Sequence, residues 1–381
     1  MNKNFLYATA VLIGTIVGAG MFGIPFVTAQ SGFLIGAVFL LVLTGVMLLI
    51  HLIYGEIVCR TKEKHRLVGY AEYYLGKWGK RIAALALVFG LYGALLVYII
   101  ISGEFLSTLF TPIFGGSSFI YSLIFFVIGA VVIFKDLILV KRLELIMTLF
   151  LILVIFIIFF AGLPHIDISN LKTVNLKYFF LPYGIIFWAL SGLAAIPEIK
   201  EALEIDGKKY KKVIILGTLV PAILYFLFMF VVVGVTGKTT SPEAIKGLVG
   251  TLGNSIIFLG AFFGFLAAMT SFFVLGLVLK KVFWYDYKIN RILSWSLACS
   301  VPLVCFLLGL RELREFIPII GFLGVILGAV EGTITTLIYL KAKKLGNREP
   351  EYSLKIPKIV ICALIGIFVL GLVYQIIYFV K

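Results

Sequence analysis

The stretch Leu12-Ile-Gly-Thr-Ile-Val-Gly-Ala-Gly-Met-Phe-Gly-Ile-Pro-Phe26 decides how this chain folds. It is apolar enough to enter a membrane, yet it carries four glycines and a proline. Glycine and proline inside a helix cost about 1 and 3 kcal/mol relative to alanine, and Pro25 has no amide to donate. A helix running through here is predicted to break near Gly18-Ala-Gly20. Backbone groups freed at membrane depth are tolerated only where they line a cavity or meet protein, so the break implies a small polar ligand near the midplane. Gly14-x-x-x-Gly18 alone reads equally well as close helix packing. Gly20, Gly23, Pro25 and a second break further along favour an unwound binding segment.

The surroundings agree with a membrane. Of the 381 residues 62% are hydrophobic and 13% charged, with a mean hydropathy of +1.15. A crossing helix needs about 20 apolar residues. Eleven such spans are predicted: Phe5–Ala29, Phe33–Val58, Ile82–Phe110, Phe119–Phe134, Leu143–Leu163, Tyr178–Ile196, Val213–Val235, Leu252–Leu279, Ile292–Leu310, Phe316–Leu340 and Ile359–Val380. Period-two apolar strands, the mark of a barrel, are not seen. Phe5–Ala29 exceeds the usual signal-peptide core of about 7–15 residues and has no small-x-small cleavage site at its end, so it is read as a span. Cys59 falls in a basic loop and Cys299, Cys305 and Cys362 in apolar runs, which gives no disulfide framework.

The net charge of +15 is explained by placement. With the N-terminus inside, all but seven of the 33 Lys and Arg residues fall in inner segments, the exceptions being Lys172, Lys177, Lys238, Lys246, Arg311, Arg314 and Lys381. This positive-inside bias orients the chain with its N-terminus cytoplasmic and its C-terminus outside, and accounts for the charge without nucleic acid. In the second inner segment Leu67, Tyr70, Ala71, Tyr74 and Leu75 recur at helical spacing, predicting a short amphipathic helix on the inner membrane face. The outer segments Pro164–Lys177 and Gly237–Gly250 are long enough to serve as lids.

Five crossings in the first half place the start of the second half on the opposite side, so any repeat between the halves is inverted. The second half also opens on an interrupted span, Pro182-Tyr-Gly-Ile-Ile-Phe-Trp-Ala-Leu-Ser-Gly-Leu-Ala-Ala-Ile-Pro-Glu198. With both helices broken, amides at the start of the second half-helix of span one attract an anion such as a carboxylate. Carbonyls of the preceding turn, including Gly14 and Val17, hold a cation or an ammonium. An amino acid carries both charges. In span eight Thr270 and Ser271 lie about 13 Å before the inner end at Leu279, near mid-membrane. Such hard oxygens suit sodium, or else bond back to their own helical carbonyls. Intramembrane Glu331, Glu104 and His51 are functional candidates. For Glu331 a gating or proton role stands against a hydrogen-bonded structural carboxylate. Glu56 and Glu144 fall near inner ends, where snorkelling or pairing with loop cations is expected. No phosphate-binding loop and no pair of histidines at ligand spacing occurs, so the chain does not read as an enzyme.

Gly14-Thr-Ile-Val-Gly-Ala-Gly-Met-Phe-Gly-Ile-Pro25, Gly69-Tyr-Ala-Glu-Tyr-Tyr-Leu-Gly-Lys-Trp-Gly79 and Ala189-Leu-Ser-Gly-Leu-Ala-Ala-Ile-Pro-Glu198 resemble the amino acid/auxin permeases and the related aromatic (tryptophan/tyrosine) amino acid permeases, within the amino acid–polyamine–organocation superfamily. The resemblance implies an all-α polytopic membrane protein of the leucine-transporter type: a 5+5 inverted repeat (1–163 and 164–345) plus a peripheral eleventh helix (346–381), forming one transporter domain. It implies that Val17, Gly18, Ala19, Gly20 and Met21 bind substrate on one side, the amides of Gly18–Gly20 taking its carboxylate, while Phe187, Trp188, Ser191 and Gly192 line the other. Of Tyr92 and Tyr98, Tyr98 is taken as the substrate-facing tyrosine of the third span. A sodium site is implied at Gly14, Val17, Ala267, Thr270 and Ser271. Some proton-coupled relatives carry a lysine in the fifth span where sodium would sit, and none occurs between Leu143 and Leu163. The expectation is therefore sodium-coupled uptake of an amino acid across the cytoplasmic membrane by alternating access, with no cofactor beyond the coupling ion. A proton-coupled symporter of the same fold is the alternative, and a passive channel a more remote one.

Overall fold

In hydrocarbon, backbone amides have no water to turn to, so each apolar run must satisfy them within a helix. The computed structural model describes residues 3–203, 209–242, 244–309 and 316–380, without the side chains at 203, 246, 316–327 and 375–380. Leu310, Arg311, Arg314 and Lys381, invoked above, lie outside the described residues, as does the side chain of Lys246. No strand occurs among the described residues. In chain order the helices are α1 (Lys3–Ile16), α2 (Gly20–Ser31), α3 (Phe33–Arg60), α4 (Leu67–Phe114), α5 (Ser118–Phe134), α6 (Leu137–Gly162), the single turn α7 (Ile168–Leu171), α8 (Leu181–Ala189), α9 (Ile196–Leu203), α10 (Tyr210–Thr236), the single turn α11 (Val249–Leu252), α12 (Ser255–Lys281), α13 (Arg291–Leu307), α14 (Phe316–Leu345) and α15 (Lys358–Val380). Counting α1/α2 and α8/α9 as one bent span each, they correspond to the eleven expected crossings.

The broken elements lie at the centre. α1 packs against α6, α9, α10 and α12, and α2 against α8 and α10, while α4 runs along α12, α14 and α5. In their most apolar stretches α8/α9 and α12 are 83% and 78% buried, whereas α6 is 39% buried. Large apolar side chains cover the outside: Leu41 is 76% exposed and Phe160 63%. That surface suits lipid and not water.

Three expectations need correcting. Cys59 is not in a loop, because α3 continues to Arg60 and buries it. The Leu67–Leu75 segment is helical, but it forms the start of α4 and turns at Gly76, whose φ of 78° favours glycine. Its Leu67, Tyr70, Ala71 and Tyr74 are buried in protein, Tyr70 meeting the Tyr54 ring edge-on at 5.9 Å, so its apolar face plugs the bundle. Finally, α6 starts at Leu137, six residues before the expected span, which moves Glu144 about 10 Å inward from the helix start. At the opposite end the 164–177 segment is sewn down, with Asp167 N–H on Gly234 O (3.0 Å) and Asn175 N–H on Ser31 O (2.7 Å).

The basic residues gather at one end of the bundle. There the connector between α14 and α15 crosses the end of α3: Asn347 N–H donates to Arg60 O (3.1 Å), Leu354 N–H to Glu56 (2.6 Å) and the Tyr352 hydroxyl to Leu52 O (2.6 Å). Glu56 pairs with Arg60 of its own helix at 2.8 Å and with Lys343 of α14 at 3.5 Å, so its cations come from helices and not, as expected, from a loop. Lys200 of α9 pairs with Glu351 of the connector.

Candidate functional site

α1 stops at Ile16 and α2 restarts at Gly20 with a bend of 48°. Across the gap the Val17 and Gly18 amides turn back to Ile13 O and Ile16 O at 2.7 and 2.8 Å. α8 stops at Ala189, and Leu190-Ser191-Gly192 leads through one tight turn into α9. The two gaps touch. A Cβ on Gly20 would lie 2.7 Å from the Trp188 ring, and one on Gly192 2.7 Å from the Ile16 side chain, so both approaches need glycine.

Two side chains that no motif announced hold these gaps in place. The buried Tyr225 of α10 extends its hydroxyl to Ile16 O and to Ala189 O, the latter at 2.9 Å, and so bridges both breaks. His51 of α3 accepts the Gly192 amide on Nε2 at 3.1 Å, and its Nδ1 lies 2.9 Å from Thr218 Oγ1, whose hydroxyl donates to Ile214 O at 2.8 Å. This order of donors assigns a neutral imidazole with its proton on Nδ1.

Beside the gaps lies a cavity of about 80 Å³, bounded by Thr15, Ile16 and Gly18 from the first break, Phe187, Trp188, Ala189, Ser191 and Ala194 from the second, Leu87, Gly90, Leu91, Ala94 and Tyr98 of α4, Leu275 of α12, and Gly328 and Glu331 of α14. Tyr98 and Trp188 face one another at 6.4 Å. The absent Cβ of Gly328 makes room for the Phe187 ring. Glu331 makes no hydrogen bond or ion pair to any described residue, so it is not the hydrogen-bonded structural carboxylate weighed above. The cavity thus offers bent backbone, aromatic walls and one acidic side chain.

Next to it α12 meets α1. Thr270 Oγ1 lies 3.0 Å from Gly14 O and from Ala267 O, and Ser271 Oγ lies 3.3 Å from Gly14 O and Thr15 O. Five oxygens share two hydroxyl protons. Such a surplus of hard acceptors suits a small cation of the alkali type. No cluster of three His, Cys, Asp or Glu side chains occurs among the described residues. Glu144 approaches the same spot from α6. A Cβ on Gly14 would collide with Glu144 Oε2 and lie 3.1 Å from Thr148 Oγ1. Glu144 is buried with neither carboxylate oxygen bonded, so it neither snorkels nor pairs with a loop cation.

Toward the basic end the cavity is closed by charge. Arg66 pairs with Glu198 (2.5 Å) and Glu201 (2.8 Å), and Lys281 with the same two carboxylates at 2.6 and 2.8 Å. The Arg66 amide bonds to Asp286, which also meets His65 at 3.3 Å. This cluster ties α4, α9 and α12 together.

Of the expected substrate residues, Gly18, Tyr98, Phe187, Trp188 and Ser191 line the cavity, while Val17, Ala19, Gly20, Met21 and Gly192 are buried off its wall. Of the expected sodium residues, Gly14, Ala267, Thr270 and Ser271 come together, and Thr15 adds a carbonyl, while the Val17 carbonyl has no part in these contacts. Tyr92 turns away to Leu297 O of α13 at 3.0 Å. Tyr225 and His51 acquire their roles from partners far away in sequence, and the only advance signal was a polar group inside an apolar span.

The family model described as the tryptophan/tyrosine permease family matches residues 1–376. Glutamine transporter 2 of Aliivibrio fischeri is 23% identical over 373 residues, covering 93% of this chain and 94% of its own length. Tyrosine-specific transport system 1 of Haemophilus influenzae is 27% identical over 346 residues, covering 85% and 84%. Among solved structures the fold is similar to that of MhsT in complex with L-phenylalanine, with a TM-score of 0.71 at 16% identity over 99% of this chain and 98% of that one. It is also similar to Mhp1, a nucleobase-cation-symport-1 family transporter in a closed conformation with bromovinylhydantoin bound, with a TM-score of 0.69 at 11% identity over 98% and 90%.

Proposed function

The chain belongs to the tryptophan/tyrosine permease family and is an amino acid transporter of the leucine-transporter fold, and on that premise we propose that it is a secondary active transporter driving amino acid uptake with sodium. The observation that carries this reading is the cluster of five oxygens with two protons where α12 meets the turn before the first break. Sodium would bind there through Gly14, Thr15, Ala267, Thr270 and Ser271, with the Val17 carbonyl as the further ligand expected from the sequence. The substrate carboxylate would face the start of α2 at Gly18–Gly20, where the helix dipole favours an anion. Its ammonium would face carbonyls at the ends of α1 and α8, and its side chain the Tyr98–Trp188–Phe187 wall. Tyrosine, tryptophan and glutamine are the substrates to try first, given the family and the relatives matched.

The halves 1–163 and 164–345 would be the inverted repeats, with 346–381 outside them. The basic end would be cytoplasmic, in the cell membrane, with the N-terminus inside and the C-terminus outside. Alternating access would come from spans one, two, six and seven rocking against the rest. Uptake into proteoliposomes should require inward sodium, and Thr270→Ala should raise the sodium concentration for half-maximal uptake about tenfold. Uptake driven equally well by a pH step without sodium would replace sodium by protons and leave the fold untouched.

A further inference from the structure

The oxygen cluster between α1 and α12 is built wholly from carbonyls and hydroxyls, so it offers a cation partial charges and no full negative charge. The charge stands one helix away. Glu144 is fully buried in α6, and both of its carboxylate oxygens lack a hydrogen-bond partner. An ionised carboxylate in that setting is among the least favourable groups a protein can bury, unless a cation meets it. The lysines of α12 are committed elsewhere, Lys280 to Asp136 at 2.5 Å and Lys281 to Glu198 at 2.6 Å. The carboxylate points at Gly14, and only the missing Cβ lets it come so close. The carbonyl of that same Gly14 takes both the Thr270 and the Ser271 hydroxyls.

We propose that Glu144 supplies the negative charge of the cation site, facing a bound monovalent cation past the bare Cα of Gly14, with Thr148 beside it as a further oxygen. This rests on the sodium reading above and adds to it a residue from α6. One carboxylate among neutral oxygens balances one monovalent charge, which fits an alkali ion better than a divalent one. It also gives Gly14 a reason beyond helix packing, since any side chain there would displace the carboxylate.

The test is thermal unfolding of the purified full-length protein, titrated with sodium chloride against choline chloride at constant ionic strength. The wild type should be stabilised by sodium and not by choline. Glu144→Gln should unfold in choline no lower than the wild type, because without sodium the amide replaces a carboxyl that has no partner to lose, yet need at least about tenfold more sodium for half the stabilisation. A wild type indifferent to sodium overturns the sodium reading itself. A wild type that responds, with Glu144→Gln responding at the same sodium concentration, overturns only the role given to Glu144. Should Glu144→Gln not fold, Glu144→Asp decides: a raised half-saturation supports the proposal, and an unchanged one rejects it.

Discussion

Tyr225 has one proton and two carbonyls to give it to. Its hydroxyl joins Ile16 O to Ala189 O, so the ends of the two broken helices share a single donor. Tyr225→Phe removes that donor and nothing else, leaving Ala189 O bare in the core. Stability should fall by about 1–3 kcal/mol, with a raised KM for the amino acid. Wild-type values for both unfolding and uptake would mean that the hydroxyl is idle. Glu331 presents the reverse case, a cavity carboxylate with no hydrogen-bond or ion-pair partner among the described residues. Glu331→Gln should fold as the wild type does and change the order of preference among tyrosine, tryptophan and glutamine, with KM for the preferred substrate raised about tenfold. An unaltered KM across that set would remove Glu331 from substrate recognition. The sequence exposed Gly18, Gly20, Ser191 and Gly192 because glycine next to glycine or serine is chemically conspicuous inside an apolar run. It gave no hint of Tyr225, since an apolar helix carrying one tyrosine resembles many others until the fold brings residue 16 to it.

At the scale of elements, helix breaks were legible and helix ends were not. α6 begins six residues before its apolar run because Leu137-Ile-Leu-Val-Lys-Arg142 is helical despite its two cations. That error alone placed Glu144 at a membrane edge instead of beside Gly14. The α4–α9–α12 charge cluster was equally hidden, since its members stand 83 and 132 residues apart. It holds two cations against two carboxylates in a buried setting, and removing one member leaves an uncompensated charge. Arg66→Ala should therefore destabilise the protein by about 3–5 kcal/mol and open the cavity toward the basic end. Labelling of a cysteine placed at Ala194 by a reagent applied from that end should speed up in this variant; an unchanged rate would show that the cluster is not what seals the cavity.

Across the whole molecule, apolar composition foretold an all-helical membrane protein, because it follows from residues that face lipid regardless of their neighbours. The connector at 346–357 is a different matter, as its contacts are all tertiary. Burial of Glu351 works against its ionisation, but hydrogen bonds from Cys59 and Lys200 outweigh this and bring it from its ordinary 4.5 down to about 2. A lowered carboxylate contributes stability that is fully present above its unfolded value and lost as pH falls toward the folded one. The wild type should thus lose stability between pH 4.5 and about 2, while Glu351→Gln shows a shallower acid limb in thermal unfolding over the same range. Parallel acid limbs would show that this residue anchors nothing.

Because that connector is fastened to α3 through Glu56 and Arg60 and to α9 through Lys200, the last helix is no idle passenger. A tilt of α9 away from α4 pulls on a leash whose other end is α15. On the alternating-access proposal above, α15 thereby serves as a return spring on α9.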